Sequence, residues 1–132
     1  MAVSPVVRYL LLCEDWRLDG PNNRRLTIIG LISNIHSVGD PPYPLFCREF
    51  CVYLALTEGR GQEEGQIVCV FEDTGQKVFE TPKQLIQFPS DPLAVLGVSF
   101  RIHNSTFPQP GLYSVQFWYD GQRLEERPLR LR

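Results

Sequence analysis

The sequence is poor in the features that mark most enzymes and membrane proteins. Its 132 residues include only two histidines, one methionine and four cysteines, and 13 basic residues against 15 acidic ones leave a net charge of −2. So balanced a charge gives no broad attraction to nucleic acid or anionic lipid. The one apolar stretch near the start, in MAVSPVVRYLLLCEDW, is interrupted by Arg8 and stopped by Glu14 and Asp15. It is too short and wrongly flanked for a signal peptide or a membrane helix, so we expect a cytoplasmic protein with no membrane partner. No segment of ordinary helix length carries a 3.6-residue apolar period.

Catalytic motifs are equally scarce. A catalytic histidine needs a converging nucleophile and an orienting acid, and no G-x-S-x-G stretch accompanies His36 or His103. The segment GRGQEEG (59–65) has acids where a phosphate loop has its lysine, and reads as a turn. CEDWRLDGPNN offers Glu14, Asp15, Asp19, Asn22 and Asn23 as oxygen donors, but without the alternation of a calcium loop, and turns need the same residues. Asn104-Ser105-Thr106 matches a glycosylation acceptor by chance if the chain is not secreted. Arg24 and Arg25, and then Arg123, Arg127, Arg130 and Arg132, are the only basic groupings, and Glu125 and Glu126 break up the second. We therefore expect no enzyme, no cofactor, no metal and no nucleic-acid partner.

Cys13, Cys47, Cys51 and Cys69 each lie in an apolar segment, where a reduced cysteine acts as a small hydrophobe. Cys47 and Cys51 are four residues apart, about 13 Å along a strand, too far for a disulfide.

What the chain does have is a succession of apolar or alternating runs rich in Val, Ile, Leu, Phe and Tyr, bounded by Gly, Pro, Asp and Asn. These predict strands over 6–14, 25–37, 48–58, 65–73, 76–80, 84–88, 94–103, 112–120 and 122–132. Ten of the eleven prolines fall at strand ends or in connections. Asp120-Gly121 predicts a type I′ hairpin and Asp73-Thr74-Gly75 a longer one, while the Pro-rich link SVGDPPYPLFC has the stiffness to cross between sheets. The fold implied is one domain over 1–132: an all-β, antiparallel, immunoglobulin-like sandwich of eight or nine strands, with a barrel as the alternative. The even-numbered residues Phe50 to Leu56, and Ala94 to Ile102, should face the core, with Cys51 and Tyr53 turned outward. Leu124 shares parity with Glu126 but not with Leu129 and Leu131, which predicts a bulge near Arg127-Pro128 on an edge strand. Pro110-Gly111-x-Tyr113 predicts a buried tyrosine whose hydroxyl bonds backbone.

Trp118 and Gln116 have the opposite parity to the core set Tyr113, Val115, Phe117 and Tyr119, so they too should look outward. With Tyr53 they are the candidate binding residues, since Trp and Tyr concentrate binding energy at interfaces.

Two segments, VRYLLLCEDWRLDGPNNRRLTIIGLISNIHS (7–37) and FPQPGLYSVQFWYDGQRLEERPLRLR (107–132), resemble the opening and the closing hairpin of a family of small bacterial proteins classed as a domain of unknown function. The resemblance implies a bacterial, cytosolic β-sandwich and transfers no catalytic residue. The reading that results is a non-enzymatic binding or assembly module acting through protein–protein contacts, with a partner protein or with itself as a homodimer. The alternative is a small-ligand or carbohydrate module with Trp118 and Tyr53 as stacking platforms.

Overall fold

The computed structural model describes residues 2–23 and 25–132, and among these it contains ten strands and a single 3₁₀ turn, Pro21–Asn23. In chain order the strands are β1 (Val6–Asp19), β2 (Arg25–Leu31), β3 (Asn34–Ile35), β4 (Leu45–Thr57), β5 (Gln62–Phe71), β6 (Lys77–Glu80), β7 (Gln84–Gln87), β8 (Leu96–Phe107), β9 (Gly111–Tyr119) and β10 (Gln122–Leu131). They form two sheets, one in the order β2-β1-β4-β8 and the other in the order β3-β10-β9-β5-β6, with β7 beside the first half of β5. The sheets pack face to face as a β-sandwich. Every pairing is antiparallel except that of β3 with the end of β10.

Alternation places the core as the parities predict. Phe50, Val52, Leu54 and Leu56 of β4 and Val98, Phe100 and Ile102 of β8 meet Ile67, Cys69 and Phe71 of β5 and Tyr113, Val115, Phe117 and Tyr119 of β9. Burying each such side chain contributes about 1.5–3 kcal/mol relative to leaving it in water. Tyr113 is fully buried and its hydroxyl donates to the Gln109 carbonyl at 2.6 Å, as the Pro-Gly-x-Tyr pattern predicts. Asp120 and Gly121, at φ 51° and 73°, make the tight β9–β10 turn, and Gly75 sits at φ 70° in the β5–β6 loop.

Four expectations need correction. The run 25–37 is not one strand: the Ile32 N–H bonds back to the Leu12 carbonyl, the chain then leaves the first sheet, and the Ser33 carbonyl takes its bond from Arg130 on the second. The chain therefore passes from the first sheet to the second here, and the Pro-rich link returns it to β4. The strand expected to stop at 103 runs to Phe107, so Asn104-Ser105-Thr106 lies within β8 opposite β4. The bulge of β10 lies between Arg123 and Glu125 instead of at Arg127-Pro128. Leu124 is the extra residue, so Leu124, Leu129 and Leu131 all pack on the core despite their parity. Lastly, β10 is an edge strand only up to Pro128, because β3 pairs with its final residues.

Candidate functional site

Trp118 projects from the outer face of the second sheet, between Gln66 on β5 and Arg123 on β10. It is half-buried, and its indole N–H donates to the Gln116 side-chain oxygen at 2.9 Å. Gln116, only 6% exposed, donates in turn to Ser114 at 3.4 Å, and the Ser114 hydroxyl donates to Glu126 at 3.0 Å. This chain of bonds satisfies the one polar group of the indole from within. What the ring offers a neighbour is carbon surface, and Gln116 acts by orienting it. A shallow pocket of about 160 Å³ adjoins the ring, bordered by Glu63, Glu64, Asp120 and Lys83.

Tyr53 lies on the opposite side of the molecule, on the outer face of the first sheet. Trp118 and Tyr53 therefore do not share a surface, and no stacking platform combines them. Tyr53 is also covered, at 8% exposure. Past Cys13, β1 leaves β4 and pairs with β2 alone, and this two-stranded arm curls back over the sheet. The ring of Trp16 comes to rest 5.2 Å from that of Tyr53, while Tyr9 stacks at 6.5 Å and 22°. The Arg101 guanidinium of β8 bonds Asp15 of the arm at 3.0 Å and Glu49 of β4 at 2.8 Å. That bond, with a second from the Trp16 N–H, holds the Asp15 carboxyl below the usual carboxylate range. Burial raises the Tyr53 hydroxyl, with Tyr9 adding to the effect. In the sequence Trp16 is masked by its neighbours Glu14, Asp15, Asp19 and Gly20, which read as a turn, whereas β1 runs on to Asp19.

A third feature is an open strand edge. Among the described residues β8 pairs only with β4. Because the Leu12 carbonyl is bonded from the β2 side, alternation turns the backbone groups of Cys13 toward β4. Carried across β4, the same alternation turns those of Val98, Phe100 and Ile102 inward to the ladder, leaving those of Gly97, Ser99 and Arg101 directed away from it. A cleft separates Leu96–Ser99 from the short strand β7. Leu85, which lines it, is 59% exposed, and in the segment that leads into β8 Leu93 and Val95 are 78% and 65% exposed.

The remaining candidates are not gathered. His36 is exposed just after β3, and His103 is exposed on β8 opposite Glu49. Of the loop oxygen donors, Asp15 is bound to Arg101 and Asp19 to Arg17 and Thr27. Among the described residues no three His, Cys, Asp or Glu side chains converge as metal ligands, and no helix is long and apolar enough to cross a membrane. Arg24 and the Asn23 side chain lie outside the described residues. All four cysteines are free.

One family model matches residues 8–132, nearly the whole length of the chain. The chain belongs to the family of unknown function DUF6941. The DUF6941 match takes in all but the first residue of the two segments, 7–37 and 107–132, that carry the resemblance, and the strands between them. No curated protein matches this DUF6941 chain in sequence. Among solved structures it is similar to the Pseudomonas fluorescens alkylpurine DNA glycosylase AlkC bound to DNA containing an abasic site analog, at 15% identity and TM-score 0.49. That match covers 76% of this chain and 28% of the glycosylase, so the chain spans little more than a quarter of its length. It is also similar to an immunoglobulin-like protein from Pseudomonas aeruginosa, at 14% identity and TM-score 0.45, over 89% of this chain and 97% of that one.

Proposed function

We propose that this chain is a non-enzymatic binding or assembly module that takes an extended segment of a protein partner, or of a second copy of itself, onto the free edge of β8. The observation that carries the reading is the unpaired edge at Gly97, Ser99 and Arg101, flanked by exposed Leu85, Leu93 and Val95. An added strand would gain main-chain hydrogen bonds there, each worth about 0.5–1.5 kcal/mol net, and would cover apolar surface beside them. Edge pairing between two copies would also give a homodimer with two-fold symmetry. The alternative, a small-ligand or carbohydrate module, rests on the Trp118 pocket alone, since Tyr53 faces the other way.

The test is backbone amide exchange at Gly97, Ser99 and Arg101, followed from dilute to concentrated protein and with partner fractions, alongside sedimentation. Ser99→Pro removes an outward N–H without breaking the β4–β8 ladder. It should abolish any concentration- or partner-dependent protection, and Trp118→Ala should leave that protection intact. If these three amides exchange equally fast under all conditions, or if only Trp118→Ala abolishes binding, the edge is not the docking surface.

A further inference from the structure

Cys13 of β1 and Cys51 of β4 stand directly opposite each other in the antiparallel ladder, and both have 0% exposure. Their neighbours Leu12 and Val52 fill the core, whereas the two cysteines share the outer face of the first sheet. The alternation described above makes them a hydrogen-bonded pair, with Cα atoms about 5.5 Å apart, inside the range a disulfide spans. No other two of the four cysteines meet this condition. Cys47 is displaced along the same strand as Cys51, and Cys69 points into the core from the opposite sheet.

The pair also occupies a particular place in the fold. It is the last rung of the β1–β4 ladder, at the point where the arm departs. Arg101, the register partner of Cys51 on its other side, reaches across to Asp15 and Glu49, and Trp16 closes the arm onto Tyr53. Arg101 is the charged group best placed to favour a thiolate here, but both of its carboxylate partners oppose that effect. In this closed arrangement burial dominates and holds the Cys13 thiol at about 11, with Cys51 also raised. Two protonated thiols with no exposure to solvent are unreactive. Lifting the arm would take Asp15 away from Arg101 and admit solvent, both of which favour the thiolate.

We propose that Cys13 and Cys51 are a redox-modifiable dithiol, closed to a disulfide by a peroxide and opened by a dithiol reductant. In the closing reaction one thiolate attacks a peroxide oxygen, the O–O bond breaks, and a sulfenic acid and hydroxide form. The second sulfur then attacks the sulfenic sulfur, the S–S bond forms and the sulfenic oxygen leaves as water. Two thiols and one hydrogen peroxide give one disulfide and two waters, so the two electrons lost by the sulfurs are those gained by the peroxide. Because Arg101 and Trp16 control access, the rate is set by opening of the arm. Because the rung is of the hydrogen-bonded type, in which side chains stand further apart, the disulfide is strained and easily reduced.

The experiment treats the folded protein with hydrogen peroxide, alkylates the remaining thiols, and maps the products by intact and peptide mass before and after dithiothreitol. The expected product has lost two hydrogens, yields one peptide pair joined through Cys13 and Cys51, and reverts fully on reduction. Trp16→Ala should form it several-fold faster, and Cys51→Ser should not form it at all. Failure of both wild type and Trp16→Ala to form the Cys13–Cys51 link under native conditions would overturn the proposal. So would formation of a Cys47 link instead. The central observation is made on the wild-type protein, so it stands even if a variant folds poorly.

Discussion

Replacing Gly97 with alanine should destabilise the protein, although the backbone at this position would accept a side chain. Gly97 is not among the positive-φ glycines, so an alanine there should by itself gain about 0.4–1 kcal/mol through the unfolded state. The obstacle is Tyr53, which reaches from β4 across β8: a Cβ on Gly97 would fall 2.0 Å from the Tyr53 hydroxyl oxygen and 2.9 Å from Cζ. The ring cannot swing away freely, because Tyr9 and Trp16 pack against it. Overpacking of this kind costs about 1–3 kcal/mol, and a middle value of about 2 less a gain of about 0.7 leaves a net loss of about 1–2 kcal/mol. For a domain of this size that lowers Tm by roughly 3–8 °C. Thermal melts of wild type, Gly97→Ala, Tyr53→Phe and the double variant would measure it. Tyr53→Phe deletes the atom at 2.0 Å but keeps the ring, so it should recover about half of the loss, and the two changes should be non-additive by about 0.5–1 kcal/mol. A Gly97→Ala variant that melts at or above the wild-type temperature, or a cycle that is additive, would refute the placement of Tyr53 over β8.

Two further predictions concern bonds that fix the frame. Tyr113→Phe removes the 2.6 Å bond to the Gln109 carbonyl and should lower stability in urea by about 1–2 kcal/mol, and an unchanged midpoint would mean that the corner does not depend on it. The Asp15 and Asp19 carboxyls are held below their ordinary range, by Arg101 and Trp16 in one case and by Thr27 and Arg17 in the other. Their contribution is therefore present above the unfolded carboxylate value, about 3.9, and is lost as pH falls through the lower folded values. Trp16 fluorescence, read in a Trp118→Phe background, should report arm loosening in that acid window, and Asp15→Asn should already show the change at neutral pH.

Much of the frame is written in local chemistry that a sequence displays. Prolines mark the ends of strands, Asp120-Gly121 can adopt the two positive φ angles its turn requires, and Tyr113 follows a Pro-Gly that turns the chain. Parity correctly assigns Tyr53, Gln116 and Trp118 to outer faces. Parity says nothing, however, of what else packs there, and covering is decided by segments far away in the chain. Tyr53 is buried by an arm that belongs to β1 and β2, and Gln116 is buried because Trp118 and Ser114 use its polar atoms. The break after Leu31 was hidden for a related reason. LTIIGLISNI carries Leu or Ile at six of its ten positions, on both sides of the break, so the two faces it visits on different sheets look like one strand, with Gly30 at φ 66° a local sign of a bend. The sequence of β10 shows a slip of parity but not its position, since one extra residue anywhere from Leu124 to Pro128 would restore the phase. The Cys13–Cys51 rung depends on the register between β1 and β4, which neither strand specifies alone.

The parallel pairing of β3 with β10 has a consequence for how the chain comes to be folded at all. Asn34 and Ile35 find their partners in Arg130 and Leu131, the Ser37 N–H donates to the Arg132 carbonyl, and the Arg132 N–H donates to that of Ile35. During synthesis these early residues have nothing to pair with until about a hundred more have been added, and the apolar face of β4 likewise waits for β5, β9 and β10. Local contacts can form the β1–β2 arm first, but the sandwich closes only when the final strand arrives. A topology so dominated by distant pairings folds in milliseconds to seconds, not microseconds. Through most of its translation the nascent chain therefore presents open strands and apolar surface, and it depends on whatever in the cell keeps such chains apart.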